Sequence, residues 1–219
     1  MSQIQAIVFD FDGVLADTEQ LHLAAYQDIF STRRISLSRD EYYANYLGYN
    51  DEGVFRRLSE AHGLKWTDDD IVTLIAEKTE VFDSVVEKTD VLYPAAASCI
   101  QRLAIDYPLG ICSGAMRHEI EMVLRRARLG GYIRFIVASG DTMQSKPAPD
   151  PYARAAQLHA FHPSECVAIE DSRWGIVSAK TAGLKCVAIT NTYPAAELVD
   201  ADTTIASLDE FTRELIGRL

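Results

Sequence analysis

Residues 4–18 read IQAIVFDFDGVLADT and indicate the fold class. Residues 4–9 form a short, largely β-branched run that is apolar on both alternating faces, as in a strand covered by helices on both sides. Comparable runs recur at residues 109–112, 133–138, 166–169, 185–189 and, more weakly, 203–206. Helical patterns lie between them at residues 95–105, 117–129 and 174–182. We therefore predict an α/β fold with a Rossmann-like parallel sheet core and helices on both of its faces.

One interval breaks this alternation of strands and helices. Residues 14–90 contain no convincing strand, and helical patterns cover residues 19–30, 39–47, 52–62 and 68–87. The interval is neither rich in Pro and Gly nor low in complexity, so it does not read as a linker. We predict a small α-helical domain at residues 14–90, inserted into a core domain that is formed by residues 1–13 and 91–219.

Composition and charge exclude several classes of protein. The 219 residues include 21 Lys and Arg against 32 Asp and Glu, which gives a formal net charge of −11. Nucleic-acid binding needs clustered basic residues and is not expected. No apolar run reaches the ~18 residues of a membrane helix, and acidic residues interrupt the stretch that a signal peptide would need. We expect a cytoplasmic protein whose cysteines, which lack metal-site spacing, are buried free thiols.

Polar residues follow the predicted strands directly. Asp10 and Asp12 come after the first strand, where a spacing of two places both side chains on one face. The other strand ends carry Ser113 and Gly114, then Lys146 in the loop SKPAPD, then Glu170 and Asp171. Ligands of open α/β sheets bind beyond the carboxyl ends of the strands. These side chains are therefore expected to converge on one site.

Electrostatics indicates what such a site would bind. At ~4 Å and an effective dielectric constant near 20, each pair of carboxylates repels by about 4 kcal/mol. Four carboxylates at one sheet edge therefore require a cation, and oxygen ligands favour a hard ion such as Mg²⁺. Lys146 and the free backbone N–H groups near Ser113 would attract a phosphate. The pattern predicts a phosphoryl-transfer site.

Four segments, DFDGVLADT, CSGA, SKPAPDPY and EDSRWGIVSAKTAGL, resemble the four motifs of the haloacid dehalogenase superfamily. They occur in the family's order over nearly the whole chain, and the helical insertion lies where that family carries its cap domain. Among its subgroups, the chain is most similar to the β-phosphoglucomutase-like and phosphoglycolate-phosphatase-like members.

The resemblance implies a role for each core residue. Asp10 would be the nucleophile that forms an aspartyl-phosphate, and Asp12 would be the general acid and base. Ser113 and the Gly114 N–H would bind the phosphoryl oxygens, and Lys146 would neutralise negative charge. The implied Mg²⁺ ligands are Asp10, the Asp12 backbone carbonyl, Asp171, and Glu170 either directly or through water. Asp12 argues against a dehalogenase, because dehalogenases of this family lack the second carboxylate.

The cap is expected to select the substrate. A β-phosphoglucomutase carries a Gly-x-Ser-Arg loop whose arginine binds the distal phosphate, whereas residues 47–51 read LGYND here, with Asp51 where that arginine would fall. Repulsion from Asp51 disfavours a second phosphate unless Arg56, Arg57 or Lys78 compensates. The candidate substrate contacts are Tyr26, Gly48, Asn50, Lys78 and Arg117. Packing roles for Tyr26 and Lys78, and a solvated helix N-terminus for Arg117, remain open.

The resulting functional prediction is a Mg²⁺-dependent phosphatase that hydrolyses a small phosphorylated metabolite, such as a sugar phosphate or a phosphoglycolate-like compound. A hexose-phosphate mutase is the alternative within enzymes. A receiver-like signalling module also phosphorylates an aspartate beside Mg²⁺, but receivers are single domains without an inserted cap. A catalytically dead binding protein is the remaining alternative. We expect a monomer or a weak homo-oligomer.

Overall fold

The computed structural model describes residues 3–47 and 49–219. Within them, six strands form one sheet: β1 (Ala6–Phe9), β2 (Leu109–Cys112), β3 (Ile133–Val137), β4 (Cys166–Glu170), β5 (Lys185–Ile189) and β6 (Thr203–Ile205). Every pairing is parallel, and the strand order is β3-β2-β1-β4-β5-β6. The predicted α/β class is confirmed. Strand bounds differ from the predictions only at their ends, most at β1, which begins later than residue 4.

The described helices are α1 (Glu19–Ser31), α2 (Arg39–Asn45), α3 (Asp51–His62), α4 (Asp68–Val86), α5 (Ala96–Leu103), α6 (Arg117–Arg126), α7 (Asp150–His159), α8 (Arg173–Thr181) and α9 (Arg213–Ile216). Helix α6 ends before the predicted residue 129, because Arg128 adopts a φ of 59° that no helix can continue through. Helices α7 and α9 are not among the predicted ones.

The central strands β1, β2 and β4 are buried on both faces of the sheet. Ala6 and Val8 pack in a cluster with residues of α7 and α8, including Tyr152 and Ile176. Phe9 points to the opposite face, is also fully buried and contacts Phe211 edge-on with ring centroids 6.4 Å apart. Each large apolar side chain removed from water in this way contributes about 1.5–3 kcal/mol. The apolar runs of the sequence are thus explained by two-sided burial.

The sheet topology places three strand ends side by side. β1 pairs with β2 on one side and with β4 on the other. The strand order reverses between β1 and β4, and open α/β sheets bind their ligands at such a reversal. The residues that follow β1, β2 and β4 therefore share one edge of the sheet.

Residues divide into two compact units, of which one is Thr18–Asp90 and the other comprises the chain up to Asp17 and Val91–Leu219. The unit Thr18–Asp90 begins later than the predicted residue 14, and backbone hydrogen bonds explain the difference. The Gly13 N–H donates to the Ala16 carbonyl at 2.9 Å, and the Asp17 N–H donates to the Val91 carbonyl at 2.7 Å. These bonds tie residues 14–17 to the unit that contains the sheet.

The helical unit has a core of its own. Tyr26, Phe30 and Phe55 pack against each other with ring centroids 5.5–6.1 Å apart. Helices α3 and α4 begin with side-chain caps: the Asn50 carboxamide accepts from the Gly53 N–H at the start of α3, and Thr67 caps α4. None of the helices that the structure describes has the length and apolarity needed to cross a bilayer.

Candidate active site

The end of β1 sets the geometry of the site. The Asp10 N–H donates to the Ile169 carbonyl at 2.9 Å, which extends the pairing of β1 with β4 by one residue. The Asp10 side chain is buried, and its Oδ1 accepts from the Phe11 N–H at 2.7 Å. Gly13 then turns the chain with a φ of 74°, and a Cβ atom there would lie 1.8 Å from Asp171 Oδ2. Glycine is required at this position both by the backbone angle and by the neighbouring carboxylate.

Three carboxylates converge at this edge. Asp10, Glu170 and Asp171 each offer one oxygen, and these oxygens lie within 4.8 Å of one another. All three side chains are buried. Among the described residues the group does not include the Asp12 carboxylate, and the ligand expected from Asp12 is its backbone carbonyl. An all-oxygen donor set of this size fits a hard divalent cation such as Mg²⁺.

Lys146 lies among these acids. Its Nζ is 3.0 Å from Asp10 Oδ1 and 2.6 Å from Glu170 Oε1, and it donates to the Cys112 carbonyl at 2.9 Å. Burial lowers the pKa of Lys146, but Asp10 and Glu170 outweigh it, so the pKa is raised. The lysine therefore stays protonated beside Asp10 at neutral pH.

The pKa of Asp10 is raised well above its ordinary value. Burial is the main cause and Glu170 the next, while Lys146 opposes the shift and Asp171 adds to it. One lysine thus does not compensate three buried carboxylates. A bound divalent cation would supply the missing positive charge.

Glu170 is held by donors from two helices. Tyr152 of α7 donates its hydroxyl to Glu170 Oε1 at 2.7 Å, and Ser172 at the start of α8 donates to Oε2 at 3.2 Å. Tyr152 was not predicted to be functional, although it is the last residue of the segment SKPAPDPY. Its place in the same short segment as Lys146 is the signal that could have indicated it.

The end of β2 forms a second part of the site. Ser113 is buried; its N–H donates to the Val137 carbonyl at 2.9 Å and its Oγ accepts from the Ala115 N–H at 3.1 Å. Gly114 is exposed, with no atom within 4 Å of the position that a Cβ would take. This turn presents a hydroxyl and an accessible backbone to an anion.

The Arg117 guanidinium binds residues of β3 and the loop that follows it. Its Nη2 donates to the Ile136 carbonyl at 2.8 Å and to Asp141 Oδ2 at 2.7 Å, and Nη1 lies 3.8 Å from Glu121. Asp141 Oδ2 also accepts from the Ala138 N–H at 2.9 Å. These contacts favour a structural role in the loop after β3 over the predicted phosphate contact.

Asn191, beyond the end of β5, was not predicted from the sequence. Its Nδ2 donates to the Gly13 carbonyl at 2.8 Å. This hydrogen bond ties the turn after Asp12 to the segment that follows β5. No local pattern in the segment TNTY indicates this role, which depends on the strand order.

The predicted substrate contacts of the helical unit lie in a buried polar cluster or at a cap. Lys78 is fully buried, its Nζ lies 3.1 Å and 3.2 Å from the two oxygens of Asp51, and Tyr26 donates its hydroxyl to Asp51 at 2.5 Å. The packing alternative for Tyr26 and Lys78 explains these contacts. Asn50 caps α3, and Gly48 lies outside the described residues.

Comparisons with known proteins indicate the family to which this chain is similar. Residues 7–189 match the family model of haloacid dehalogenase-like hydrolases. Protein CbbY of Rhodobacter capsulatus is 30% identical, with 99% of each chain covered. The crystal structure of a CbbY variant from Rhodobacter sphaeroides in complex with xylulose-(1,5)-bisphosphate is similar, with a TM-score of 0.84, 26% identity, and 95% of this chain and 96% of that chain covered. A β-phosphoglucomutase from Clostridium difficile shares the fold, with a TM-score of 0.88, 23% identity, and 99% and 96% covered.

Proposed function

Because the chain belongs to the family of haloacid dehalogenase-like hydrolases, we propose that it is a Mg²⁺-dependent phosphatase of a small phosphorylated metabolite. The observation that carries the proposal is that Lys146 lies between Asp10 and Glu170. Oxygens of Asp10, Glu170 and Asp171 also lie close enough together to bind one divalent cation. A sugar phosphate is the favoured substrate class, since the similar CbbY variant was crystallised with a sugar bisphosphate.

In the proposed first step, a carboxylate oxygen of Asp10 attacks phosphorus, and the bond from phosphorus to the leaving oxygen breaks. Asp12 gives its proton to that leaving oxygen, so the alcohol departs neutral. Ser113 and the Gly114 N–H hold the phosphoryl oxygens, and Lys146 balances the negative charge between Asp10 and the phosphoryl group.

In the second step, Asp12 takes a proton from a water molecule whose oxygen attacks phosphorus. The bond from phosphorus to Asp10 breaks, and inorganic phosphate leaves. The residues that would hold the metal are Asp10, the Asp12 backbone carbonyl and Asp171, with Glu170 assisting directly or through water. When bound, the metal supplies positive charge that offsets the carboxylates and the transferred phosphoryl group.

Hydrolysis is favoured over a mutase reaction by charges within the helical unit. Lys78 offsets the repulsion expected from Asp51, but its charge is thereby used within the unit. Of the nearby arginines, Arg56 is paired with two carboxylates of its own unit, and Arg57 stacks over the Tyr49 ring at 4.1 Å. A second phosphate would need a cation that is not already paired, and both Lys78 and Arg56 are paired with carboxylates.

The test is a screen for phosphate release from a panel of phosphorylated metabolites, with Mg²⁺ and with EDTA. We expect Mg²⁺-dependent turnover that Asp10→Asn abolishes. The panel includes β-glucose 1-phosphate, from which a mutase would form glucose 6-phosphate instead of free phosphate. Retained activity in Asp10→Asn would reject the nucleophile, and a phosphorylated protein that accumulates without phosphate release would favour a signalling module.

A further inference from the structure

Lys146 contacts three separate partners. Its Nζ lies 3.0 Å from Asp10, donates to Glu170 at 2.6 Å and donates to the Cys112 carbonyl at 2.9 Å. The ammonium group thus donates two hydrogen bonds and forms an ion pair with the third partner, Asp10. The position of the lysine relative to Asp10 therefore depends on where Glu170 and the end of β2 are held.

Glu170 is in turn almost saturated. An ionised carboxylate has about four acceptor sites, two on each oxygen. Lys146 and Tyr152 both donate to Oε1, at 2.6 Å and 2.7 Å, and Ser172 donates to Oε2 at 3.2 Å. A Cβ on Gly175 would lie 1.9–2.0 Å from the carboxylate atoms, so the carboxylate lies directly against α8. The Glu170 side chain is thus fixed from α7 and from α8.

Tyr152 is linked to Lys146 by a shared hydrogen-bond acceptor and by a ring contact. Its hydroxyl shares Glu170 Oε1 with Lys146, and its ring centroid lies 5.0 Å from the lysine Nζ. Tyr152 is fully buried, on a helix that contacts β2, the strand whose last carbonyl accepts from Lys146. A change at its hydroxyl leaves the charge of the site unaltered.

We propose that Tyr152 is a positioning residue for the phosphoryl-transfer reaction, acting on Lys146 through Glu170. The inference rests on the function proposed above. The tyrosine hydroxyl keeps Oε1 oriented so that Lys146 bridges Glu170 and Asp10. Without that hydroxyl, the carboxylate rotates more freely, and the lysine is less often aligned when charge develops on the phosphoryl group.

The experiment is a double-mutant cycle of Tyr152→Phe and Glu170→Gln. Loss of one hydrogen bond to a charged group predicts that Tyr152→Phe lowers kcat about tenfold, with KM within about twofold. Because Tyr152 acts through Glu170, adding Tyr152→Phe to Glu170→Gln should lower kcat no further. Tyr132→Phe, at an exposed tyrosine of the same unit, is the matched control and should behave as wild type.

A second readout needs no turnover. Calorimetric titration with orthovanadate in the presence of Mn²⁺ should show about tenfold weaker vanadate binding for Tyr152→Phe, with the affinity for Mn²⁺ alone unchanged. Thermal unfolding confirms that each variant folds. If Glu170→Gln does not fold, Glu170→Asp, which keeps the charge but withdraws the carboxylate from Tyr152, replaces it in the cycle.

The outcomes separate the two proposals. The role of Tyr152 would be overturned, and the phosphatase left intact, by any of three results. These are additive effects in the cycle, an unchanged kcat for Tyr152→Phe, or a change in KM or Mn²⁺ affinity in place of the change in kcat. Coupled effects on vanadate binding without any phosphate release would support the role and reject the phosphatase. A wild-type protein that neither turns over nor binds vanadate would overturn both.

Discussion

Replacing Asp10 by asparagine is expected to stabilise the metal-free protein while abolishing turnover. Asp10 lies within 4.8 Å of two other carboxylates and 3.0 Å from Lys146. At an effective dielectric constant of 20, each carboxylate repels it by at least about 3.5 kcal/mol, and the lysine attracts it by about 5.5 kcal/mol. The two repulsions exceed the attraction, so we expect Asp10→Asn to raise the free energy of unfolding by about 1–2 kcal/mol.

The pH dependence of this effect has a definite sign. The pKa of Asp10 is raised in the folded protein, mainly by burial and then by Glu170. The folded state therefore holds its proton to higher pH than the unfolded state, and wild-type stability falls as the pH rises through the raised pKa. The advantage of Asp10→Asn should be full above that pKa and should vanish near the unfolded value of about 4.

Thermal unfolding in EDTA between about pH 4 and 8 tests this prediction, with Asp200→Asn at an exposed aspartate as the matched control. For a chain of this length, 1–2 kcal/mol corresponds to a rise in Tm of about 2–8 °C. Added Mg²⁺ should stabilise the wild type more than the variant, because the variant lacks one ligand. A lower Tm for Asp10→Asn in EDTA at neutral pH would refute the electrostatic account.

Three further substitutions test other parts of the structure. Gly13→Ala places a side chain at a φ of 74° and against Asp171. The backbone conformation alone should lower the free energy of unfolding by about 1–2 kcal/mol. Because the methyl group displaces Asp171, calorimetry should show Mn²⁺ binding weakened at least about tenfold. Arg117→Ala should leave KM for phosphate substrates unchanged and lower stability in urea unfolding by at most about 1 kcal/mol, since its ion pairs are half-exposed. Asp51→Ala leaves Lys78 buried without that partner, and urea unfolding should show a loss of about 3–5 kcal/mol.

Each of these has a control or an outcome that contradicts it. Gly130→Ala, where a Cβ meets nothing within 4 Å, should bind Mn²⁺ as the wild type does, and equal binding by Gly13→Ala would contradict the steric argument. A tenfold rise in KM for Arg117→Ala would restore its predicted phosphate contact. Asp69→Ala, at an exposed residue of the same unit, is the control for Asp51→Ala, and equal stability of the two variants would mean that the buried pair contributes nothing.

The strand ends could be predicted from the sequence because apolar runs stop abruptly at charged residues. Asp10 follows β1 and Asp171 follows β4, and parallel pairing then brings both to one edge. Helix α7 was harder to predict. It starts between Pro149 and Pro151, and prolines at this spacing are also typical of turns, so the sequence does not indicate where the helix begins. Tyr152 went unrecognised together with the helix that carries it.

Ion pairs between distant segments could not be predicted from residue spacing. Arg117 meets Asp141, and Lys78 meets Asp51, only because tertiary packing brings their elements together. A charged residue near a predicted site has several candidate partners along the sequence, and local pattern does not rank them. Asn191 is a similar case, because its contact with Gly13 depends on the strand order.

The chain leaves and re-enters the sheet unit through backbone segments that touch. Ala16 forms a bridge with Leu92, and Asp17 donates to Val91. The entropic cost of closing a loop grows only with the logarithm of its length, by about 0.6 kcal/mol for each doubling, so a long insertion between two ends that meet costs little more than a short one. We therefore expect that a short turn grafted between residues 17 and 91 would leave the sheet unit able to fold without the inserted helices.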